Sequence, residues 1–233
     1  MKTYKIHFIR NGLTAGNLEG KYIGHTDEIL CPQGVAQLKD MDENMLYPYC
    51  DAVFSSPLKR CLQTAHIIYP DKEPIVIPDL IECNFGEFEN LTADELQDDE
   101  DFINWIRGGR DAAPPHGESS AEFGNRVIKA FNSIVEGLIK TGITDSVIIT
   151  HGGVIMTILS VFGFPEREMT AWRAPGGCGF TLMITPQIWS GMKKGEITAE
   201  VPAPKPGTDS DESSDELFDG NDDISWNVLD IEQ

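Results

Sequence analysis

The chain has 233 residues, of which 40% are hydrophobic and 24% charged, and its formal net charge is −20. This is a globular composition, long enough to bury a sizeable core, and the negative charge argues against nucleic acid or an anionic membrane as partner, since both call for a basic surface. No apolar run approaches the roughly 18 residues of a membrane helix. Five scattered cysteines without CxxC spacing (Cys31, Cys50, Cys61, Cys83 and Cys178) point away from disulfides or zinc and toward a reducing, cytoplasmic setting.

The N-terminal MKTYKIHFIR lacks a signal-peptide pattern, and YKIHFI (4–9) reads as a first strand. PQGVAQLKDMDENML (32–46) places Pro near its start and apolar residues at Val35, Leu38 and Met45, an amphipathic helix. DAVFSS (51–56) is a short strand, and PLKRCLQTAHIIY (57–69) a helix opened by Pro57. PIVIPDL (74–80) is extended. Residues 84–117 lose periodicity and read as an insertion of short helical pieces roofing a site.

The longest helical pattern, residues 118–140, repeats Phe123, Val127, Ile128, Phe131, Ile134, Val135 and Leu138. DSVIIT (145–150) is a continuous apolar strand of the kind found inside a parallel sheet. It turns at His151-Gly152-Gly153 into the helix VIMTILSVF, and GFTLMIT (179–185) and EITAEV (196–201) add strands. From Asp209 onward there are ten acidic residues and no Lys or Arg, so half of the net charge lies in the final 25 residues. The division is a domain over 1–201, with the roof at 84–117, and an acidic tail over 202–233 that reads as disordered. The closing ISWNVLDIEQ regains apolar character.

Alternation of strand and helix through residues 4–161 predicts an α/β fold, a three-layer sandwich with a mostly parallel central sheet. Ligands in such sheets bind beyond the carboxyl ends of the strands, where Arg10-Asn11, Ser55-Ser56 and His151-Gly152 fall.

FIRNGLTAGN, with GKYIGHTDEIL following, then SSPLKRCLQTA, ECNFGEFEN and ITHGGVI together resemble the histidine phosphatase superfamily, the phosphoglycerate mutase-like branch 1 proteins, over residues 4–185. The resemblance implies a phosphoglycerate mutase-like fold and phosphoryl transfer through a phosphohistidine, the nucleophile being the histidine of an Arg-His-Gly motif. Here Arg10 and Gly12 match, and Asn11 occupies the nucleophile position. The resemblance further makes Arg60 the second phosphate-binding arginine, His151 the pocket's second histidine and Glu82 the proton donor. Thr14, Asn17 and Gly24 fall on the substrate side.

Chemistry supports the parts. Two arginines offer planar charged forks to phosphate oxygens, a protonated histidine adds a third donor, and a carboxylic acid protonates the leaving oxygen. The amide nitrogen of Asn11 has its lone pair delocalised and is no nucleophile. The chain is therefore expected to bind a phosphomonoester without cleaving it. Either a catalytic histidine has been replaced or the chain is a natural pseudoenzyme, and the otherwise complete pocket favours replacement.

The implied activity is phosphomonoester hydrolysis resembling the ribazole phosphatases and broad-specificity relatives, with no metal or cofactor and a small phosphorylated metabolite as partner. Phosphoglycerate mutase chemistry is the first alternative, disfavoured by the short span of 69 residues (151 − 82) between Glu82 and His151. A non-catalytic phospholigand- or partner-binding protein is the second. Arg107, Arg110 and His116 are candidate roof contacts. Glu87 and Glu89 compete with Glu82 for the acid's role. His7, His25 and His66 read as structural or exposed, and Cys83 as a core cysteine. Oligomeric state is not legible.

Overall fold

The computed structural model describes residues 2–205, so the expected tail, apart from its first four residues, lies outside the described residues. In chain order the strands are β1 (Tyr4–Arg10), β2 (Met45–Leu46), β3 (Ala52–Ser55), β4 (Ile75–Val76), β5 (Asp145–Thr150), β6 (Gly163–Phe164), β7 (Gly179–Ile184), β8 (Gly195–Val201) and β9 (Ala203–Pro204). The helices are α1 (Ala15–Leu18), α2 (Pro32–Asn44), α3 (Lys59–Ile68), α4 (Ala93–Leu96), α5 (Glu100–Arg107), α6 (Ser120–Thr141), α7 (Gly152–Phe162) and α8 (Pro186–Met192).

Seven strands form one sheet in the order β4-β3-β5-β1-β7-β8-β6. β1, β3, β4 and β5 run parallel, as do β6 and β8, while β7 is antiparallel to both β1 and β8. The apolar run of β5 is explained by burial on both faces. Ile148 joins a cluster with Phe8 of the neighbouring β1 and with Phe131, Val135, Val154 and Ile158 from α6 and α7. Its neighbours Val147 and Ile149 join Leu38, Cys61, Ala65 and Ile68 from α2 and α3. Alternate side chains thus feed two helix layers, and the expected three-layer α/β sandwich with a mostly parallel sheet is the observed fold.

Several boundaries differ from the sequence reading. α2 stops at Asn44, and Met45–Leu46 pairs with β9 instead, which carries paired chain three residues past the boundary drawn at Val201. Pro57 does not open α3; its N-cap is Leu58, and Pro57 sits in the turn before it. Only Ile75–Val76 of the 74–80 segment is strand, and Pro78–Leu80 tightens into a 3-10 turn. α7 begins at Gly152 with His151 as N-cap, earlier than the glycine pair led one to expect. α1 and α8 are additional. Both carry side-chain caps, from Thr14 to Asn17 N–H and from Thr185 to Ile188 N–H.

The 84–117 segment does hold short helices, α4, α5 and a 3-10 turn at Gly86–Phe88. It is anchored by aromatic packing: Phe85, Phe88, Phe102 and Trp105 surround Tyr22, with ring centroids 5.2–5.9 Å from Tyr22 for Phe85, Phe102 and Trp105. No helix among the described residues is long and apolar enough to cross a membrane.

Candidate active site

β1 and β5 lie side by side and parallel, with Arg10 level with Thr150. Their carboxyl ends therefore deliver Arg10-Asn11 and His151 to the same place. β3 flanks β5 on the other side and hands the chain to Ser56 and then to α3, which presents Arg60.

These residues touch. His151 Nδ1 is 3.0 Å from Asn11 Oδ1 and 3.3 Å from Arg60 Nε. Asn11 Nδ2 donates to the Gly12 carbonyl at 2.8 Å, and Gly12 N–H donates to Thr64 Oγ1 at 3.0 Å. Arg60 is buried. Its Nη1 and Nη2 donate to the carbonyls of Thr26 and Gly24, each at 2.8 Å. Arg10, half-buried, donates from Nη1 to the Ala174 carbonyl at 2.9 Å and runs beside Gly152.

Glu82 is buried next to this group. Its carboxylate accepts from Cys83 N–H at 2.9 Å and from Gly153 N–H, in the first turn of α7, at 3.0 Å. Burial pushes its pKa above the ordinary carboxylate value, against the two amide donors and the charges of Arg60 and Arg126. A carboxyl whose proton is retained by burial is suited to general-acid work. His151 is shifted the other way: burial, then the charges of Arg60 and Arg10, hold its pKa well below the usual imidazole range. The expectation of a protonated histidine thus meets an environment in the free pocket that disfavours the cation.

The other candidates divide. Gly24 lies where a Cβ would come within 1.8 Å of the Cys83 carbonyl, so only glycine fits between Arg60 and the Glu82 segment. Thr14 and Asn17 are engaged with each other as the cap of α1, Asn17 Oδ1 accepting from Thr14 N–H and Oγ1–H. Arg107 and Arg110 are exposed, without a side-chain partner among the described residues. His116 is exposed and 3.3 Å from Glu87, itself exposed. His25 and His66 are exposed, and His7 is a core residue bonded to Thr181.

Glu89 has a role that sequence reasoning missed. Its carboxylate accepts from His25 N–H and Thr26 N–H, each at 2.6 Å, from Thr26 Oγ1–H, and from Phe85 N–H at 3.3 Å. It fixes the loop whose carbonyls receive Arg60. Arg126 was missed as well; it donates to the carbonyls of Asp79, Ile81 and Glu82 and pairs with Glu118, setting the course of the main chain that carries Glu82. The quoted motif GEFEN contained the first of these; nothing in the sequence marked the second.

Comparison with known proteins bears on the family and the fold. An adenosylcobalamin/alpha-ribazole phosphatase of Escherichia coli (strain K12) is 28% identical over 185 residues, covering 77% of this chain and 90% of that protein. Probable phosphoglycerate mutase GpmB of Yersinia pestis (strain Pestoides F) is 29% identical over 170 residues, 70% of this chain and 77% of its own. Among solved structures, the alpha-ribazole phosphatase of Shigella flexneri superposes with a TM-score of 0.71 at 26% identity, over 84% of this chain and 95% of that one. A phosphoserine phosphatase of Entamoeba histolytica in complex with 3-phosphoglyceric acid gives 0.66 at 26% identity, over 87% and 98%. The family model of the histidine phosphatase superfamily, branch 1, matches residues 6–208, and the chain belongs to that superfamily.

Proposed function

We propose that this chain binds a small phosphomonoester on a phosphatase scaffold and, with Asn11 in the nucleophile position, does not hydrolyse it. The observation that carries the reading is the Asn11 carboxamide at the end of β1, bonded to Gly12 and His151 at the centre of the pocket. Arg10 and Arg60 meet the phosphate charge, and Glu82, whose pKa burial raises, stands as the acid for a leaving oxygen. The nucleophile alone is lacking, because amide resonance withholds the nitrogen lone pair that an imidazole would offer.

Asn11→His tests this on a phosphomonoester panel at mildly acidic to neutral pH. The expected result is turnover in the variant at least about 10³-fold above the unvaried chain, the scale on which a lost nucleophile acts. Inorganic phosphate should bind to both. Silence from both proteins on every ester would discard the phosphatase reading in favour of a binding protein. The named relatives include a mutase, so 2- and 3-phosphoglycerate interconversion belongs in the panel; the short Glu82–His151 span favours hydrolysis. Five free cysteines, four of them buried, suit a reducing compartment such as the cytoplasm.

A further inference from the structure

Asn11 and Arg60 belong to one closed ring of polar contacts. Asn11 Oδ1 and Arg60 Nε both reach His151 Nδ1, at 3.0 and 3.3 Å, while Ser56 Oγ holds the far side of that imidazole, 2.7 Å from Nε2. Asn11 Nδ2 donates to the Gly12 carbonyl at 2.8 Å, and Gly12 N–H donates to Thr64 Oγ1 at 3.0 Å. Thr64 completes the ring by donating its hydroxyl hydrogen to the Arg60 carbonyl at 2.7 Å.

The directions of the two bonds at Thr64 are fixed by their partners. A main-chain N–H only donates and a main-chain carbonyl only accepts, so the hydroxyl hydrogen goes to Arg60 and an oxygen lone pair faces Gly12. A threonine within a helix often turns its hydroxyl to the carbonyl four residues back, as Thr64 does. The second bond, to a residue 52 positions away in the chain, is not something helix geometry supplies. Thr64 is fully buried, so a Gly12 N–H deprived of the hydroxyl has no solvent to replace it.

We propose that Thr64 is a positioning residue: its hydroxyl ties the turn of α3 that carries Arg60 to the peptide between Asn11 and Gly12, and so sets the spacing between two sides of the pocket. β1 leads to one side and β3 to the other, and β5 separates them in the sheet; the Thr64 hydroxyl bridges the two directly. Four residues apart, Arg60 and Thr64 share one face of α3, so a shift of the helix at Thr64 is felt at Arg60. The inference rests on the proposed phosphate pocket only in its consequence: without the hydroxyl, Arg10 and Arg60 no longer meet a phosphate at the same spacing.

Two-dimensional ¹H–¹⁵N NMR of the full chain reads the positioning through the Arg60 Nε–H and Asn11 carboxamide signals, assigned with Arg60→Lys and Asn11→Asp. Thr64→Val keeps the shape of the side chain and deletes both of its bonds. It should displace both signals and speed exchange of the Gly12 amide at least about tenfold, whereas the carboxamide of Asn132, bonded to Ile128 on α6, should stay in place. Thr64→Ser, which keeps the hydroxyl, should restore all three. Unmoved Arg60 and Asn11 signals in Thr64→Val overturn the proposal, as does a Thr64→Ser spectrum that matches Thr64→Val. Should Thr64→Val fail to fold, Thr64→Cys, a weak donor and acceptor in the same place, takes its part in the comparison. Inorganic phosphate titrated into the same samples reads the consequence: affinity should fall at least about fivefold in Thr64→Val and return in Thr64→Ser, and equal affinity throughout overturns the effect on the pocket. Absence of binding in every sample, the unvaried chain included, removes the phosphate proposal, and the spectra still decide the place of Thr64.

Discussion

At Gly24 a single missing methyl decides whether two parts of the pocket can meet. Its carbonyl receives Arg60 Nη2, and a Cβ at this position would stand 1.8 Å from the Cys83 carbonyl, a backbone atom that cannot swing aside. Gly24→Ala must therefore push the 24–27 loop away from the Glu82 segment. The expected cost is about 1–3 kcal/mol of stability, measured by urea denaturation, with phosphate affinity at least tenfold weaker because Arg60 loses its anchor. Affinity unchanged at the lower stability would separate the loop from Arg60 and refute the link. The sequence flagged Gly24 by resemblance alone, since the carbonyl that forbids a side chain there comes from 59 residues further along (83 − 24). Arg10, Asn11, Arg60 and His151 were more legible because each follows an identifiable strand or opens a helix. Ser56 and Glu89 were quoted within motifs, yet their roles depend on bonding partners distant in the chain, which spacing does not reveal.

Among the elements, long periodic segments are legible in the sequence: the helix expected over 118–140 is α6, Ser120–Thr141, bounded by the Ser119–Glu122 capping box and by Gly142 at a φ of 78°. Short elements were missed or overdrawn, because two to four residues carry too little pattern to tell a strand from a turn; β2, β4 and α1 are such cases. β1 has a further consequence at its centre. His7 sits opposite Thr181 of β7, Nδ1 bonded to Thr181 Oγ1 at 2.9 Å, and burial lowers its pKa from 6.5 to about 4. Between those values the unfolded chain binds the proton and the folded chain does not, so stability falls as pH drops from 6.5 toward 4. The contribution is on the order of 2–3 kcal/mol. His151, also lowered, acts in the same direction, whereas Glu82, raised by burial, favours the fold below pH 4.5 and costs stability as pH rises. His7→Asn removes one of these contributions: its urea midpoint should vary less between pH 6.5 and 4 than that of the unvaried chain, and equal slopes would refute the assignment.

For the whole molecule, topology and charge act separately. The strand order places β3, β5 and β1 side by side and parallel, so three carboxyl ends converge on one pocket, and every proposed site residue falls between Arg10 and His151. Charge is distributed without regard to that pocket: residues 206–233 hold ten acidic groups and no basic ones, half of the net −20. Their place lies outside the described residues, and the reach of their field is set by salt. At 0.01 M salt it reaches roughly 30 Å, and at 0.15 M about 8 Å. A chain ending at Lys205, with a net charge of −10 (−20 + 10), retains every residue of the two core clusters found among the described residues, and should fold with an unchanged melting temperature. It should bind inorganic phosphate a few-fold more tightly than the full chain at low salt, because a repelling field has been removed, and equally at 0.15 M. If affinity drops on truncation at either salt concentration, the tail contributes to the site itself, and the pocket assembled from β1, β3 and β5 is incomplete without it.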